Sequence, residues 1–227
     1  MKILFVSALL PYPLYQGGQV RIYNLLKQVS QRHEITLLSF IRSREEEQYI
    51  EKLHFCRNVR TVMRGRAWQW KYIVSAGFST KPFLYATYDN AAMREIISDE
   101  LASNAYDLIH LEPGYVWPSL PSTHVPVVVA EHNIEHVIYK GYVQRFPLVF
   151  LRPLLYWDVL KMQWWERRVW SRARSVIAVS EDDASAILNI IPRASVRVVP
   201  NGVDGAQFAF QPKRTRGKRI LFVGYFG

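Results

Sequence analysis

Short runs of apolar residues, continuous rather than alternating, recur along the chain and limit its fold more than any other feature. They fall at Lys2–Ala8, Glu34–Phe40, Asn58–Met63, Asp107–Leu111, Val125–Ala130, Ser175–Val179 and Val196–Val199. A strand with one wet face alternates apolar and polar side chains. A strand that is apolar throughout is buried on both faces, as in a parallel sheet covered by helices. Helical patterns fill the gaps. Ile22, Leu25, Leu26 and Val29 recur at the spacing of one helix face. A second helix is expected over Arg44–Leu53, with Glu45, Glu46 and Glu47 in its first turn, where the helix dipole favours acids. A third is expected over Asn90–Ala102. This alternation predicts an α/β, doubly wound, Rossmann-like parallel sheet.

The opening run Lys2-Ile3-Leu4-Phe5-Val6-Ser7 has a near copy in Arg219-Ile220-Leu221-Phe222-Val223-Gly224. The repeat reads as the opening strand of a second domain. It divides the chain into a domain at residues 1–199, a linker at 200–219 and the first strand of a truncated domain at 220–227. The linker begins with the turn-forming Pro200-Asn201-Gly202-Val203-Asp204 and carries Lys213, Arg214, Arg216, Lys218 and Arg219. Asn201 and Gly202 are the expected hinge. The competing reading is coincidence between two short apolar strands.

The 227 residues, 49% of them hydrophobic, can bury a sizeable core, which argues against disorder. The single cysteine, Cys56, excludes an internal disulfide and a Cys-rich zinc site, and suits a reducing compartment. Met1–Leu10 reads as a strand rather than a signal peptide, because Pro11, Tyr12 and Pro13 stand where small residues would mark cleavage. No apolar run approaches the ~20 residues of a membrane-spanning helix. A cytoplasmic location is expected, at the inner face of the cytoplasmic membrane if the chain touches lipid. The net charge of +10 draws it toward anionic partners. Nucleic acid is disfavoured, because the basic residues are spread and no RRM, KH or helix-turn-helix pattern occurs.

Open parallel sheets bind ligands beyond the carboxyl ends of their strands, so the residues after each strand are the candidates. Gly17 and Gly18 follow the first strand and open the first helix, where backbone N–H groups can approach an anion. Arg21 lies in that helix's first turn, opposing the dipole, and an anionic ligand would offset the mismatch. An ordinary glycine turn with a solvated arginine is the plainer reading. Glu112 follows the fourth run and can accept from sugar hydroxyls or cap a turn. The densest polar cluster, Glu131-His132-Asn133-Ile134-Glu135-His136, follows the most β-branched strand. His132 and His136 stand four apart, as in a zinc motif. However, Asn133 replaces the motif's glutamate and His132 sits at a strand end, so no metal is expected. A ligand-contacting His132 is favoured over a helix-capping Asn133 with surface histidines. Ser180 reads as an N-cap, with Asp183 in the capping-box position.

Residues 142–174 concentrate aromatics and bases. Four of the seven tryptophans, Trp157, Trp164, Trp165 and Trp170, lie there among Arg145, Arg152, Lys161, Arg167, Arg168, Arg172 and Arg174. A basic, aromatic-rich helix can lie in an anionic lipid interface. The alternative is a core helix whose arginine stems cover apolar surface.

These stretches together resemble the N-terminal domain of a family-4 glycosyltransferase with the GT-B fold. The likeness is carried by Lys2–Ser7 with Gly17, Gly18 and Arg21; by His33–Leu38; by Tyr106–His110; by Glu131–Glu135; by Glu166 with Ser175–Ser180; and by Val199–Asp204 followed by Ile220–Gly224. The resemblance implies half of a two-domain enzyme of hexosyltransferase type. It would transfer a sugar, with retention, from a nucleotide-sugar donor to a glycan or lipid-linked acceptor, without metal or other cofactor. It implies that Gly17 and Gly18 lie by the donor diphosphate and that His132 contacts the transferred sugar. Glu112, Asn133 and Glu135 would lie on the acceptor side. The donor site would sit in the second domain, so residues 1–227 alone are expected to be inactive. A non-catalytic sugar- or nucleotide-binding domain and a GT-B-fold epimerase are the alternatives.

Overall fold

The computed structural model describes residues 1–66 and 68–202, apart from the side chain of Lys71. The expected linker beyond Gly202 and the repeated strand lie outside the described residues. Seven strands form one parallel sheet: β1 (Lys2–Ser7), β2 (Glu34–Ile41), β3 (Asn58–Met63), β4 (Leu108–Glu112), β5 (Val127–Ala130), β6 (Ser175–Ala178) and β7 (Val196–Val198). Their spatial order is β3-β2-β1-β4-β5-β6-β7. The chain winds outward from β1 to β3, returns to the other side of β1 at β4, and winds outward again. The reversal lies between β1 and β4, where a crevice opens in a doubly wound sheet.

The α-helices are α1 (Gly17–Val29), α2 (Trp70–Phe78), α3 (Phe83–Thr87), α4 (Ala91–Ser103), α5 (Glu135–Arg145), α6 (Arg152–Arg172) and α7 (Glu181–Ile190). Arg44–Leu53, Gly114–Ser119 and Val149–Leu151 form 3-10 helices. Successive residues of β1 serve opposite layers. Leu4 and Val6 join a core with Leu111, Met93, Met162 and Trp170, while Phe5 joins Ile22, Leu26, Leu37 and Leu53. Burial on both faces is why these strands carry no polar alternation.

Ser180 caps α7 as expected. Its hydroxyl oxygen accepts from Asp183 N at 3.1 Å and its O–H donates to the Asp183 carboxylate at 2.6 Å. Asn90 caps α4 by accepting from Met93 N. Residues 142–174 do not form one helix. The chain leaves α5 after Arg145 and re-enters helix at Arg152. Pro147 cannot donate a helical hydrogen bond, and Pro153 fits only a first turn, where α6 places it.

Candidate functional site

The site is built on a buried carboxylate at the sheet's reversal point. Glu112 ends β4 beside Ser7 of β1 and is wholly inaccessible. Residues two apart on a strand share a face, so His110 and Glu112 both point toward α1. His110 stacks on Phe5 with ring centroids 4.4 Å apart. Its Nε2 lies 2.9 Å from Glu112 Oε2, and His132 Nε2 lies 2.7 Å from Oε1. Burial alone would push the Glu112 carboxyl up. The hydrogen bonds from His110 and His132 outweigh it and hold the group at about 2. An ionised carboxylate only accepts, so both facing ring nitrogens carry their protons. His132 is thereby fixed in one tautomer, and its Nδ1 is left for other partners.

That Nδ1 faces the amino end of α1. A Cβ added to Gly18 would stand 3.5 Å from it, an ordinary contact, while one added to Gly17 would meet nothing within 4 Å. The first N–H groups of a helix have no partner inside it. Imidazole nitrogen and helix amides therefore border one space at the strand ends. Arg21 approaches Glu112 Oε1 at 3.6 Å through Nε, an ion pair too long for a hydrogen bond. Its other nitrogens donate to Asn201 Oδ1 at 2.8 Å and to the Val199 carbonyl at 3.0 Å. Arg21 is thus not the solvated cation that its place in the first turn allowed, since it ties α1 to β4 and to the segment after β7.

The cluster after β5 divides between two layers. Glu131 is buried on the α6 side, where Oε1 accepts from Trp170 Nε1 at 2.8 Å and Oε2 from Gly114 N at 3.3 Å. Burial, with neighbouring Glu166 and Glu135, pushes its carboxyl up to about 8 against the lowering effect of those donors. Asn133 is exposed and does not cap α5, whose N-cap is Ile134. It lies beside Glu135, whose carboxyl it draws down. Burial and Glu166 raise the Glu135 carboxyl to about 7. His136 turns from His132 and bonds Glu166 through ring Nδ1 and backbone N. The two histidines thus serve different carboxylates. Among the described residues no three His, Cys, Asp or Glu side chains converge as metal ligands.

The structure brings Gly17, Gly18, Arg21, Glu112, His132 and Asn201 together. Asn133 follows His132 directly and is exposed, Glu135 opens α5, and Ser180 acts as a cap. Sequence reasoning missed His110. Its signal was a histidine two residues before a glutamate on a strand expected to be buried.

A doubly wound α/β domain with a helix amino end and an oriented histidine at its reversal point has its candidate ligand crevice there. The chain belongs to Glycosyltransferase Family 4, which it matches over residues 15–207. No curated protein matches it significantly. Among solved structures it is similar to Arabidopsis thaliana UGT89C1 complexed with UDP-L-rhamnose, at 12% identity and TM-score 0.48, covering 88% of this chain and 48% of that one. It is similar to LpCGTa in complex with UDP, at 12% identity and TM-score 0.48, covering 92% and 54%. The N-terminal domain of Candida albicans trehalose-6-phosphate phosphatase is similar at 14% identity and TM-score 0.45, covering 91% and 49%. The chain spans about half the length of these solved chains. The family assignment rests on the family match alone.

Proposed function

We propose that this chain is the acceptor-side domain of a retaining, metal-independent glycosyltransferase of hexosyltransferase type, working with a second, donor-binding domain. The observation that carries the proposal is His132, locked by buried Glu112 so that Nδ1 meets the amino end of α1. Nδ1 accepts a hydrogen bond from a hydroxyl of the transferred sugar. The free N–H groups of Gly17 and Gly18 lie at the diphosphate, where charge grows as the glycosidic bond to phosphate breaks. Fixed donors aimed at developing charge are strong electrostatic catalysts. Glu112 and Arg21 act from behind His132 and touch no substrate. Glu135 and Asn133 border the acceptor, and Asn201 and Gly202 form the hinge to the donor domain.

The acceptor is a glycan or a lipid-linked sugar, reached at the inner face of the cytoplasmic membrane. The observation favouring lipid is an exposed stripe on α6. Leu154, Trp157, Leu160 and Trp164 are at least half exposed at helical spacing, and Trp70, Ile73, Val74 and Phe78 of α2 are also exposed. Trp165 Nε1 donates to the Thr80 carbonyl and Lys161 Nζ to that of Ala76, which ties the segment of α2 to α6.

The test is expression of the open reading frame with whatever follows residue 227, assayed against labelled nucleotide sugars. Transfer is expected, with His132→Ala lowering kcat by about 10²–10⁴. The 227-residue chain alone is expected to give no turnover. Equal turnover by wild type and His132→Ala would overturn the role given to His132.

A further inference from the structure

A second crevice, of about 250 Å³, lies at the carboxyl ends of β1, β2 and β3 and shares no residue with the Glu112–His132 pair. Leu10, Phe40, Arg42, Tyr49 and Arg64 line it, with Gln16 and Gln19 from the start of α1. Arg64 is only 7% exposed. Its backbone is pinned, with N donating to the Ile41 carbonyl and the carbonyl accepting from Tyr72 Oη. The guanidinium lies 4.7 Å from the centre of the Tyr88 ring. Among the described residues it has neither a hydrogen bond nor an ion pair, and its buried Nε lacks an acceptor.

Arg57, Arg60 and Arg94 lie nearer solvent than Arg64, and each faces a carboxylate. Glu45 and Glu46 also line the crevice, but neither pairs with Arg64, and Glu46 Oε1 accepts from Arg42 N at 3.2 Å. Burying part of an unpaired charge is costly, and the buried, unmatched Nε of this guanidinium calls for an acceptor. Stacking on Tyr88 holds the planar fork in place but accepts none of its N–H groups. Arg42 adds a second cation at the same crevice. A planar fork backed by a second arginine suits the tetrahedral oxygens of phosphate.

We infer that this crevice is a phosphate subsite in which Arg64, assisted by Arg42, holds a phosphate group carried by the acceptor. The inference rests on the proposed acceptor role of the domain and narrows the acceptor to a phosphorylated one. The phosphate belongs either to a soluble sugar phosphate or to a lipid-linked one.

The test measures binding and needs no turnover. Thermal shift and ³¹P line broadening of the 227-residue chain are followed with inorganic phosphate, a hexose phosphate, the free hexose, and vesicles with or without a lipid-linked sugar phosphate. Inorganic phosphate and at least one phosphorylated probe are expected to bind, and the free hexose is not. Whether the soluble or the vesicle probe binds more tightly than inorganic phosphate identifies the source. Arg64→Met is expected to weaken phosphate binding about tenfold or more while leaving the ligand-free Tm unchanged or higher, because an unpaired buried charge is gone. If Arg64 serves only to stack on Tyr88, Arg64→Met lowers the Tm and wild type shows no phosphate response, which overturns the inference. Should Arg64→Met fail to fold, Arg42→Gln and Arg64→Lys carry the same expectation, and unchanged affinity in both refutes it. Phosphate binding without transferase activity in the longer protein would leave the subsite standing and remove the catalytic reading.

Discussion

Glu112 and Glu131 are both buried carboxylates at strand ends, yet their surroundings push them in opposite directions. Two imidazole N–H groups hold Glu112 ionised down to about 2. Its contribution is present above the ordinary carboxylate range near 4.5 and is lost as pH falls from there through about 2. Glu131 has weaker donors and acidic neighbours, and keeps its proton up to about 8. Its contribution is full below 4.5 and declines as pH rises through about 8. Each limb can approach ~1.4 kcal/mol per pH unit. Thermal denaturation across pH 2–9 should show both limbs. Glu112→Gln should flatten the acid limb and cost about 1–3 kcal/mol at neutral pH, since one ring nitrogen loses its acceptor. Glu131→Gln should flatten the limb between 4.5 and 8. Unchanged limbs in both variants would refute these assignments. The sequence pointed to His132 because it follows a β-branched run. It could not show that Glu112 and His110 are its support, because that pairing joins β4 to the loop after β5 across 20 residues.

At the scale of elements, two glycines that look alike in sequence differ in what surrounds them. Gly114 opens the 3-10 helix after β4, and a Cβ there would stand 2.3 Å from Glu131 Oε1. Gly114→Ala must displace a buried, hydrogen-bonded carboxylate, and a loss of about 1–3 kcal/mol is expected by denaturant unfolding. Gly17 meets open space, so Gly17→Ala should leave stability unchanged or raise it by up to about 1 kcal/mol. On the proposed function, in a protein that also carries a donor domain, the same methyl group would crowd a diphosphate at the start of α1. A raised KM for the nucleotide sugar with an unchanged Tm is therefore expected, and an unchanged KM would remove the diphosphate from that loop. Strand and helix order was legible because burial on both faces leaves its mark in composition. The break between α5 and α6 was legible in principle from Pro147 and Pro153, but the aromatic and basic pattern runs through both prolines and masks it. The run at Arg44–Leu53 was helical as its acidic first turn implied, though wound as a 3-10 helix.

For the molecule as a whole, α6 combines five basic residues, against Asp158 and Glu166, with two exposed tryptophans. Trp157 and Trp164 project from α6, and the Arg168 guanidinium lies 5.4 Å from the Trp164 ring centre. Trp165, Val169 and Trp170 of the same helix are buried in or near the core, so α6 divides its aromatics between core and surface. The core reading of this segment therefore holds for one face, while the other face leaves Trp157 and Trp164 exposed. No helix of the described residues is long and apolar enough to cross a membrane. Contact of α6 with lipid would be interfacial, with tryptophans at headgroup depth and arginines attracted to anionic lipid at about 1 kcal/mol each. Sedimentation of the 227-residue chain with vesicles tests this. Binding should require anionic lipid and weaken as salt is raised. Trp157→Ser with Trp164→Ser should weaken it about tenfold or more, since two half-exposed rings lose their place in the interface. Trp157 is 59% exposed and Trp164 meets the core only edge-on at Trp165, so the double variant should lose little Tm. Equal binding to neutral and anionic vesicles would show that the basic residues take no part, and full binding by the double variant would show the same for the tryptophans. Absence of binding to either kind of vesicle would turn the search for an acceptor toward soluble glycans.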